Sequence, residues 1–232
     1  MQVRTIGLLG GIGWASTADY YRRINELVTA RLGDAHGARI VLHSMDQFDF
    51  TSRAAEPDPQ VIVQYLAEQV ARLKAGGADF FMLCANGAHR FVPALMPLVD
   101  LPFLSIVDAT AERVRASGIR KVGLLGVRQT MAGSFYRERL ARHAIEVVTP
   151  SAADQTTVHD IIYNELVHNR IADASRRVYV DIIDGLAQQG AQGCILGCTE
   201  IPLLIGPADV DMPVFNTTQI HCEAAVAFAL PA

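Results

Sequence analysis

Lysine is scarce in this sequence, where only Lys74 and Lys121 occur among 232 residues. Neither lies at the carboxyl end of a predicted strand, so the sequence offers no pocketed lysine for a Schiff base with pyridoxal phosphate. An excess of positive charge is missing too, because 20 basic residues face 24 acidic ones and the net charge is −4. No positive field is therefore expected for a nucleic acid or an anionic membrane, and the expected partner is a small molecule.

Long apolar runs and paired cysteine motifs are also missing. The most apolar stretch, residues 91–107, is interrupted by three prolines and one aspartate, so no membrane span is predicted. The amino terminus lacks the order of charged, apolar and small residues that is typical of a signal peptide. The four cysteines show no C-x-x-C spacing, which favours free thiols in a reducing cytoplasm over disulfides. The histidines show no ligand spacing either, and no metal is expected.

Apolar residues make up 50% of the sequence, and many lie in short β-rich runs that alternate with longer segments of helical period. This alternation is typical of α/β folds with parallel sheets. Four such runs fall in each half of the chain. The predicted strands are residues 5–10, 39–44, 80–84, 103–107, 121–126, 145–150, 193–197 and 214–217.

The two halves resemble each other at three landmarks in the same order. IGLLGG at residues 6–11 returns as VGLLGV at 122–127, and GADFFMLCAN at 77–86 returns as GAQGCILGCT at 190–199. The third pair is DLPFL and DMPVF. Such a repeat predicts two pseudo-symmetric lobes, each with a four-stranded parallel sheet flanked by helices.

The predicted lobes span residues 1–112 and 113–232, and a helix at 217–230 is expected to pack back on the first lobe. Ligands of parallel α/β folds bind outside the carboxyl ends of the strands. Two facing lobes would therefore share an active site in the cleft between them.

The strongest chemical signal is GCILGCTEIPLL at residues 193–204. Cys198 follows a predicted strand, and the hydroxyl and backbone N–H of Thr199 are suited to hold a carboxylate and to lower the thiol pKa. A lone cysteine is often a small buried hydrophobe, but the position at a strand's carboxyl end favours a reactive thiol. Glu200 is a further polar candidate in this loop.

The corresponding loop in the first half begins with CANGAH. Alignment of the repeats places Ala85 on Cys198 and Cys84 on Gly197. Because side chains of a strand alternate between its two faces, Cys84 is predicted to be structural. His89 is a candidate for orienting or capping the loop.

A glycine-rich turn, GLLGGIGWAST at residues 7–17, loosely matches a dinucleotide fingerprint. The acidic residue that should follow the second strand is not convincingly present, so a carboxylate-sized ligand or tight packing is favoured over a nucleotide. Glu165 and Arg170 are polar candidates near the end of a later helix, where a solvated face explains them equally well.

Together these motifs resemble the aspartate/glutamate racemases. The resemblance runs along the whole chain through GLLGGIGWASTADYYRRIN, LHSMD, CANGAH, LPFLSIVDAT, VGLLGVRQTM, FYRERL and GCTEIPLL. It is closest to the branch that contains the broad-specificity L-aspartate/glutamate-specific racemase. The resemblance implies a cytoplasmic homodimer without cofactor, two α/β lobes, and a cysteine from each lobe beside Cα of a small, acidic amino acid.

The family's functional positions transfer to this sequence with one departure. Cys198 corresponds to the acid/base cysteine of the second lobe. The first-lobe motif has Ala85 and Gly87 where the family has a cysteine or threonine and then a threonine. The resemblance implies substrate contacts at Gly11, Gln47, Ala85, Asn86, Gly87, Thr130 and Thr199.

The methyl group of Ala85 can neither accept nor release a proton. Alanine at this position therefore leaves three functions open. The leading hypothesis is a racemase or epimerase that uses the thiol of Cys198 at Cα. A second is a single-cysteine isomerase or decarboxylase of small dicarboxylates. A third, from another class, is a catalytically silent carboxylate-binding protein.

Overall fold

A computed structural model describes residues 3–230. Residues 1, 2, 231 and 232, which the two predicted lobes include, lie outside the described residues. The strands are β1 (Ile6–Gly10), β2 (Ile40–Ser44), β3 (Phe80–Leu83), β4 (Lys121–Leu125), β5 (Glu146–Val148), β6 (Cys194–Leu196) and β7 (Val214–Asn216). The helices are α1 (Trp14–Leu32), α2 (Gln47–Ala54), α3 (Pro59–Ala75), α4 (Val92–Leu95), α5 (Ile106–Ala116), α6 (Arg128–Ala132), α7 (Ser134–Ala141), α8 (Ala152–Asn164), α9 (Asp173–Gln188) and α10 (Thr217–Ala229).

Several helices begin where the sequence supplies a capping residue. Asp46 accepts backbone hydrogen bonds from the first turn of α2, and Ser151 does the same for α8. At α3, Asp58 accepts from the N–H of Gln60 at 2.9 Å, and Pro59 takes the first helical position, where no N–H is needed. These caps set where the helices start relative to the strands before them.

The chain divides into two compact units. The first contains the described residues up to Ile106 together with those from His221 onward, and the second contains Val107–Ile220. In the described residues no helix is both long and apolar enough to cross a membrane.

The first unit is built on a parallel sheet of three strands in the order β2-β1-β3. The predicted strand at 103–107 is reduced to a single bridge between Phe81 and Phe103. The N–H of Phe81 donates to Pro102 at 2.8 Å, and Phe81 accepts from Leu104 at 2.9 Å. The pairing stops there because α5 already begins at Ile106, so the prediction of a fourth strand was wrong for this unit.

Two apolar layers cover the faces of this sheet. On one face Phe80, Met82 and Cys84 pack with buried residues of α1 and α10. On the other face Phe81 and Leu83 pack with buried residues of α2 and α3. The alternation follows from the pleat of β3, whose successive side chains point to opposite faces.

The second unit contains a parallel sheet in the order β5-β4-β6-β7, which has the predicted four strands. Its core combines residues of β4 and β6 with buried residues of α8 and α9, and Cys198 packs against this core.

The strands that carry the repeated motifs end in the same way in both units. Leu83 pairs with Leu9, and Leu196 pairs with Leu125. One residue later, the N–H of Cys84 donates to Leu9 at 3.0 Å and that of Gly197 donates to Leu125 at 2.7 Å. The residues that the sequence repeat aligns therefore occupy equivalent positions in the two sheets, because β3 pairs with β1 in the same register as β6 pairs with β4.

Candidate active site

Cys198 lies in the loop that follows β6. Its Sγ lies 2.9 Å from Oε2 of Glu200, and the hydroxyl of Thr199 donates to the same oxygen at 2.7 Å. One carboxylate oxygen therefore accepts hydrogen bonds from both of the residues that precede it. A thiol with a carboxylate at hydrogen-bond distance has a proton acceptor in place.

This environment raises the pKa of the Cys198 thiol well above its ordinary value. Burial is the largest cause, and the charge of Glu200 and the hydrogen bond to it add to the shift, against smaller opposing effects of backbone N–H groups. The backbone N–H of Thr199 does lower this pKa, as expected, but burial and Glu200 outweigh it, and the Thr199 hydroxyl donates to Glu200 instead. Cys198 is therefore a neutral thiol at neutral pH.

Thr130, in α6, is fully buried beside this loop. Its Oγ1 has no hydrogen-bond partner within residues 3–230. A β-carbon at Gly197 would lie 3.3 Å from Cγ2 of Thr130, so Thr130 packs against the residue that precedes Cys198. Leaving a buried hydroxyl unpaired costs about 1–3 kcal/mol, and a carboxylate oxygen from a ligand would remove that penalty.

Gly11, at the end of β1, makes a tight backbone contact. Its φ is +89°, and a β-carbon there would lie 1.9 Å from the carbonyl oxygen of Met45, so glycine is required. Its N–H donates to Oγ1 of Thr17 at 2.9 Å. This N–H is therefore already hydrogen-bonded within the protein. Gln47 is exposed at the start of α2, which follows β2.

The loop after β3 contains Ala85, Asn86 and Gly87. Ala85 is half-buried and packs against the layer that contains Leu83, whereas Asn86 is buried. A β-carbon at Gly87 would meet no atom within 4 Å, so the described structure leaves open space there. Because β1, β2 and β3 are parallel, the first-unit candidates follow the same edge of one sheet.

His89 holds this loop through both ring nitrogens. Its Nδ1 lies 3.0 Å from the carbonyl oxygen of Ala85, and its Nε2 accepts from the N–H of Ile106 at 3.2 Å. A carbonyl can only accept and an amide N–H can only donate, so the proton of the neutral ring sits on Nδ1. The candidate role of His89 as an orienting residue thus has a hydrogen-bonding basis.

The other three cysteines are buried in apolar surroundings. Burial raises the pKa of Cys194 to about 12 and raises those of Cys84 and Cys222 further. Cys84 packs with Cys222 in the layer on the face of β3 opposite to Leu83. These thiols have no described proton acceptor comparable to Glu200.

Sequence reasoning missed two tyrosines whose hydroxyls lie within electrostatic range of Cys198. Burial, Cys198 and then Glu200 raise the pKa of Tyr163, in α8. Burial, Cys198 and then Glu165 raise the pKa of Tyr179, in α9. No local motif marks either residue, because their proximity depends on how α8 and α9 pack on β6.

The structure therefore brings Thr130, Cys198, Thr199 and Glu200 together in the second unit. Arg170 is exposed and donates to the carbonyl oxygen of Asn164, so its guanidinium already contacts the backbone. In the described part of the chain, no group of three or more His, Cys, Asp or Glu side chains could hold a metal ion.

Parallel α/β folds bind their ligands outside the carboxyl ends of the strands, and the thiol of Cys198 and the carboxylate of Glu200 lie just beyond such an end. The chain belongs to the Asp/Glu/Hydantoin racemase family, whose model matches residues 9–225.

Solved structures and curated proteins that are similar to this chain also include aspartate and glutamate racemases. The chain is similar to a putative Asp/Glu racemase from Yersinia pestis, with 44% identity, a TM-score of 0.92 and coverage of 97% of this chain and 99% of that one. An aspartate racemase homologue from Pyrococcus horikoshii shares 29% identity with a TM-score of 0.88 over 97% and 99% of the chains. The glutamate racemase of Hydrogenobaculum is 25% identical over 68% of this chain but only 60% of its own length.

Proposed function

We propose that this protein is a cofactor-independent amino-acid racemase or epimerase in which Cys198 transfers a proton at Cα. The observation that carries the proposal is the 2.9 Å contact between Sγ of Cys198 and Oε2 of Glu200 at the end of β6. Membership of the racemase family supports the reaction class. The names of the aspartate and glutamate racemase relatives support an amino acid as substrate.

In the proposed reaction Glu200 takes the proton of the Cys198 thiol, and the thiolate then removes the proton from Cα. The electron pair of the broken C–H bond is delocalised into the α-carboxylate of the substrate. The hydroxyl of Thr130 would stabilise that charge, since it is buried without a described partner. A contact of Thr199 with the carboxylate is proposed on the basis of the family resemblance. The reverse steps return a proton to the same face of Cα.

Inversion requires a second proton donor on the opposite face. Ala85 occupies the position that corresponds to Cys198 in the repeat and cannot serve as that donor. We propose that a water molecule or another group does so slowly, so that Cα exchange with solvent outpaces racemization. Asn86 and Gly87 are proposed to contact the substrate on the basis of the family resemblance.

Ala85 also favours a second candidate. A single thiol is sufficient for a decarboxylase of small dicarboxylates, because the carbanion left by the loss of carbon dioxide needs a proton on one face only. An isomerase of small dicarboxylates likewise needs no pair of proton donors on opposite faces. A dicarboxylate panel analysed for product distinguishes this candidate from an amino-acid racemase. Binding of carboxylates without any reaction would identify the catalytically silent alternative.

The test is incubation of the purified chain with L- and D-amino acids in heavy water. Nuclear magnetic resonance follows deuterium at Cα, and chiral chromatography follows inversion. Cys198→Ser should abolish exchange, while Cys84→Ser should retain most of it because Cys84 lies in the core. Exchange that survives Cys198→Ser and disappears in Cys84→Ser would contradict the proposed role.

A further inference from the structure

Two buried histidines lie close together in the first unit, with their ring centroids 6.0 Å apart. His89 belongs to the loop after β3, whereas His221 is in α10, near the other end of the chain. A buried imidazole needs hydrogen-bond partners, and these partners decide which of its nitrogens carries the proton. The partners of His221 connect it to the loop that contains His89.

The contacts of His221 fix its tautomer. Its Nε2 lies 3.0 Å from the carbonyl oxygen of Leu104, and its Nδ1 lies 3.0 Å from the hydroxyl of Tyr20, in α1. A carbonyl can only accept, so the proton is on Nε2 and Nδ1 accepts from the Tyr20 hydroxyl. Burial, and to a smaller extent His89, lower the pKa of His221 to about 3, so the ring is neutral at neutral pH.

A short stretch of backbone lies between the two histidines. The carbonyl oxygen of Leu104 accepts from His221, and two residues later the N–H of Ile106 donates to Nε2 of His89 at 3.2 Å. This second bond keeps the proton of His89 on Nδ1, which donates to the carbonyl oxygen of Ala85 at 3.0 Å. The position of Ala85 is therefore connected to α1 and α10.

All of these hydrogen bonds point the same way along the path from α1 to the loop. The donor and acceptor pairs are Tyr20 to His221, His221 to Leu104, Ile106 to His89 and His89 to Ala85. Hydrogen bonds in a buried network strengthen one another, and each is stronger there than in water. Loss of one member should therefore weaken the others.

We infer that Tyr20 and His221 are positioning residues for residues 85–87, and that they act through Leu104 and His89 without touching the substrate. The inference rests on the proposed function, in which residues 85–87 contact the substrate. Without the Tyr20 hydroxyl, Nδ1 of the buried His221 loses its donor, and the ring can rotate or change tautomer. Leu104 and then His89 are held less firmly as a result.

Binding and chemistry should respond differently to a loosened loop. In the unmodified chain residues 85–87 supply contacts but no proton donor, because Ala85 has only a methyl group. Loss of those contacts weakens ground state and transition state equally, so KM rises while kcat for Cα exchange by Cys198 stays the same. In an Ala85→Cys background the loop carries a thiol, so a misplaced loop should also lower kcat for inversion.

The first experiment compares Tyr20→Phe with Tyr136→Phe, each alone and combined with Ala85→Cys. Tyr136 is the matched control, because it is equally buried and its hydroxyl hydrogen-bonds Thr110 in the second unit. Tyr20→Phe should raise KM about three- to tenfold for the amino acid that the unmodified chain exchanges fastest. With Ala85→Cys it should lower kcat for inversion at least about tenfold. Tyr136→Phe should change neither value.

Replacement of His221 separates hydrogen bonding from packing. His221→Gln retains one donor and one acceptor and should keep a KM close to that of the unmodified chain, whereas His221→Leu should raise KM as Tyr20→Phe does. Circular dichroism establishes that each variant is folded. An unchanged KM in folded Tyr20→Phe, or an equal change in Tyr136→Phe, would overturn the inference.

Nitrogen-15 magnetic resonance of the imidazole rings tests the network without any turnover. At pH 7 the unmodified chain should show His221 protonated on Nε2 and His89 on Nδ1, and Tyr20→Phe should shift the signals of both rings. A shift confined to His221 would overturn the coupling to the loop. Coupled shifts in a chain that exchanges no amino acid would instead contradict the proposed function and leave the network in place.

Discussion

The thiol of Cys198 and the carboxylate of Glu200 form a hydrogen-bonded pair with 2.9 Å between Sγ and Oε2. Burial and the charge of Glu200 raise the pKa of the thiol, so the pair rests as a thiol and a carboxylate. The raised pKa makes the thiol a weak acid and its thiolate a strong base. In the proposed reaction Glu200 is the group that takes the proton from the thiol.

Glu200 has two effects on Cys198: its charge raises the thiol pKa, and its carboxylate can accept the thiol proton. Replacement of Glu200 by glutamine removes both, and each loss is measured separately. Without the negative charge the pKa of Cys198 falls, so alkylation by iodoacetamide should begin at lower pH than in the unmodified chain. Without the proton acceptor, Cα exchange should slow by about 10²- to 10⁴-fold. Glu165→Gln is the matched control, because Glu165 hydrogen-bonds Ser175 and not the thiol. An unchanged alkylation profile in Glu200→Gln would contradict the coupling.

Restoring a thiol in the first unit should restore the second proton donor. We expect Ala85→Cys to raise the rate of racemization by about 10²- to 10⁴-fold, as measured by chiral chromatography. The unmodified chain should exchange Cα deuterium into one enantiomer faster than it inverts it. Ala85→Ser is similar in size but is a much weaker acid, and it should produce a smaller gain. Equal exchange of both enantiomers by the unmodified chain would show that another group already acts on the second face.

Two buried threonines provide a matched test of carboxylate binding. Thr130 and Thr218 each bury a hydroxyl without a partner among the described residues. Replacing either by valine removes an unpaired hydroxyl, so the free energy of unfolding should rise by about 1 kcal/mol in both variants. The increase in melting temperature caused by succinate or aspartate should be lost in Thr130→Val and retained in Thr218→Val. Equal loss in both variants would contradict a specific role of Thr130.

His221 should make stability depend on pH. Burial, and to a smaller extent His89, lower its pKa to about 3, below the unfolded value of about 6.5. The unfolded chain therefore binds a proton first as pH falls, and the stabilisation that is complete above pH 6.5 is lost progressively toward pH 3. The loss should reach about 2 kcal/mol at pH 5.

Urea unfolding at pH 7 and pH 5 measures this loss. His221→Gln should show a smaller difference between the two pH values, and the exposed His36→Gln should show the same difference as the unmodified chain. An equal difference in His221→Gln would mean that other groups cause the pH dependence.

The sequence alone determined the α/β class, seven of the eight predicted strands and the repeat that relates the two halves. These features depend on local apolar patterns and on motifs repeated along the chain, which can be read without knowing what packs where. The family resemblance likewise follows from the order of motifs, and the position of Cys198 directly after an apolar strand marks it as a candidate without that resemblance.

Tertiary packing decided the features that depend on distant residues. Phe103 makes only one bridge because α5 begins three residues later. The thiol pKa is raised because Cys198 is partly buried against the core with Glu200 turned toward it. The unpaired hydroxyl of Thr130 and the proximity of Tyr163 to Cys198 follow from the packing of α6 and α8 on the second sheet. Hydrogen-bond partners and electrostatic range are set by three-dimensional distance, which no local spacing in the sequence encodes.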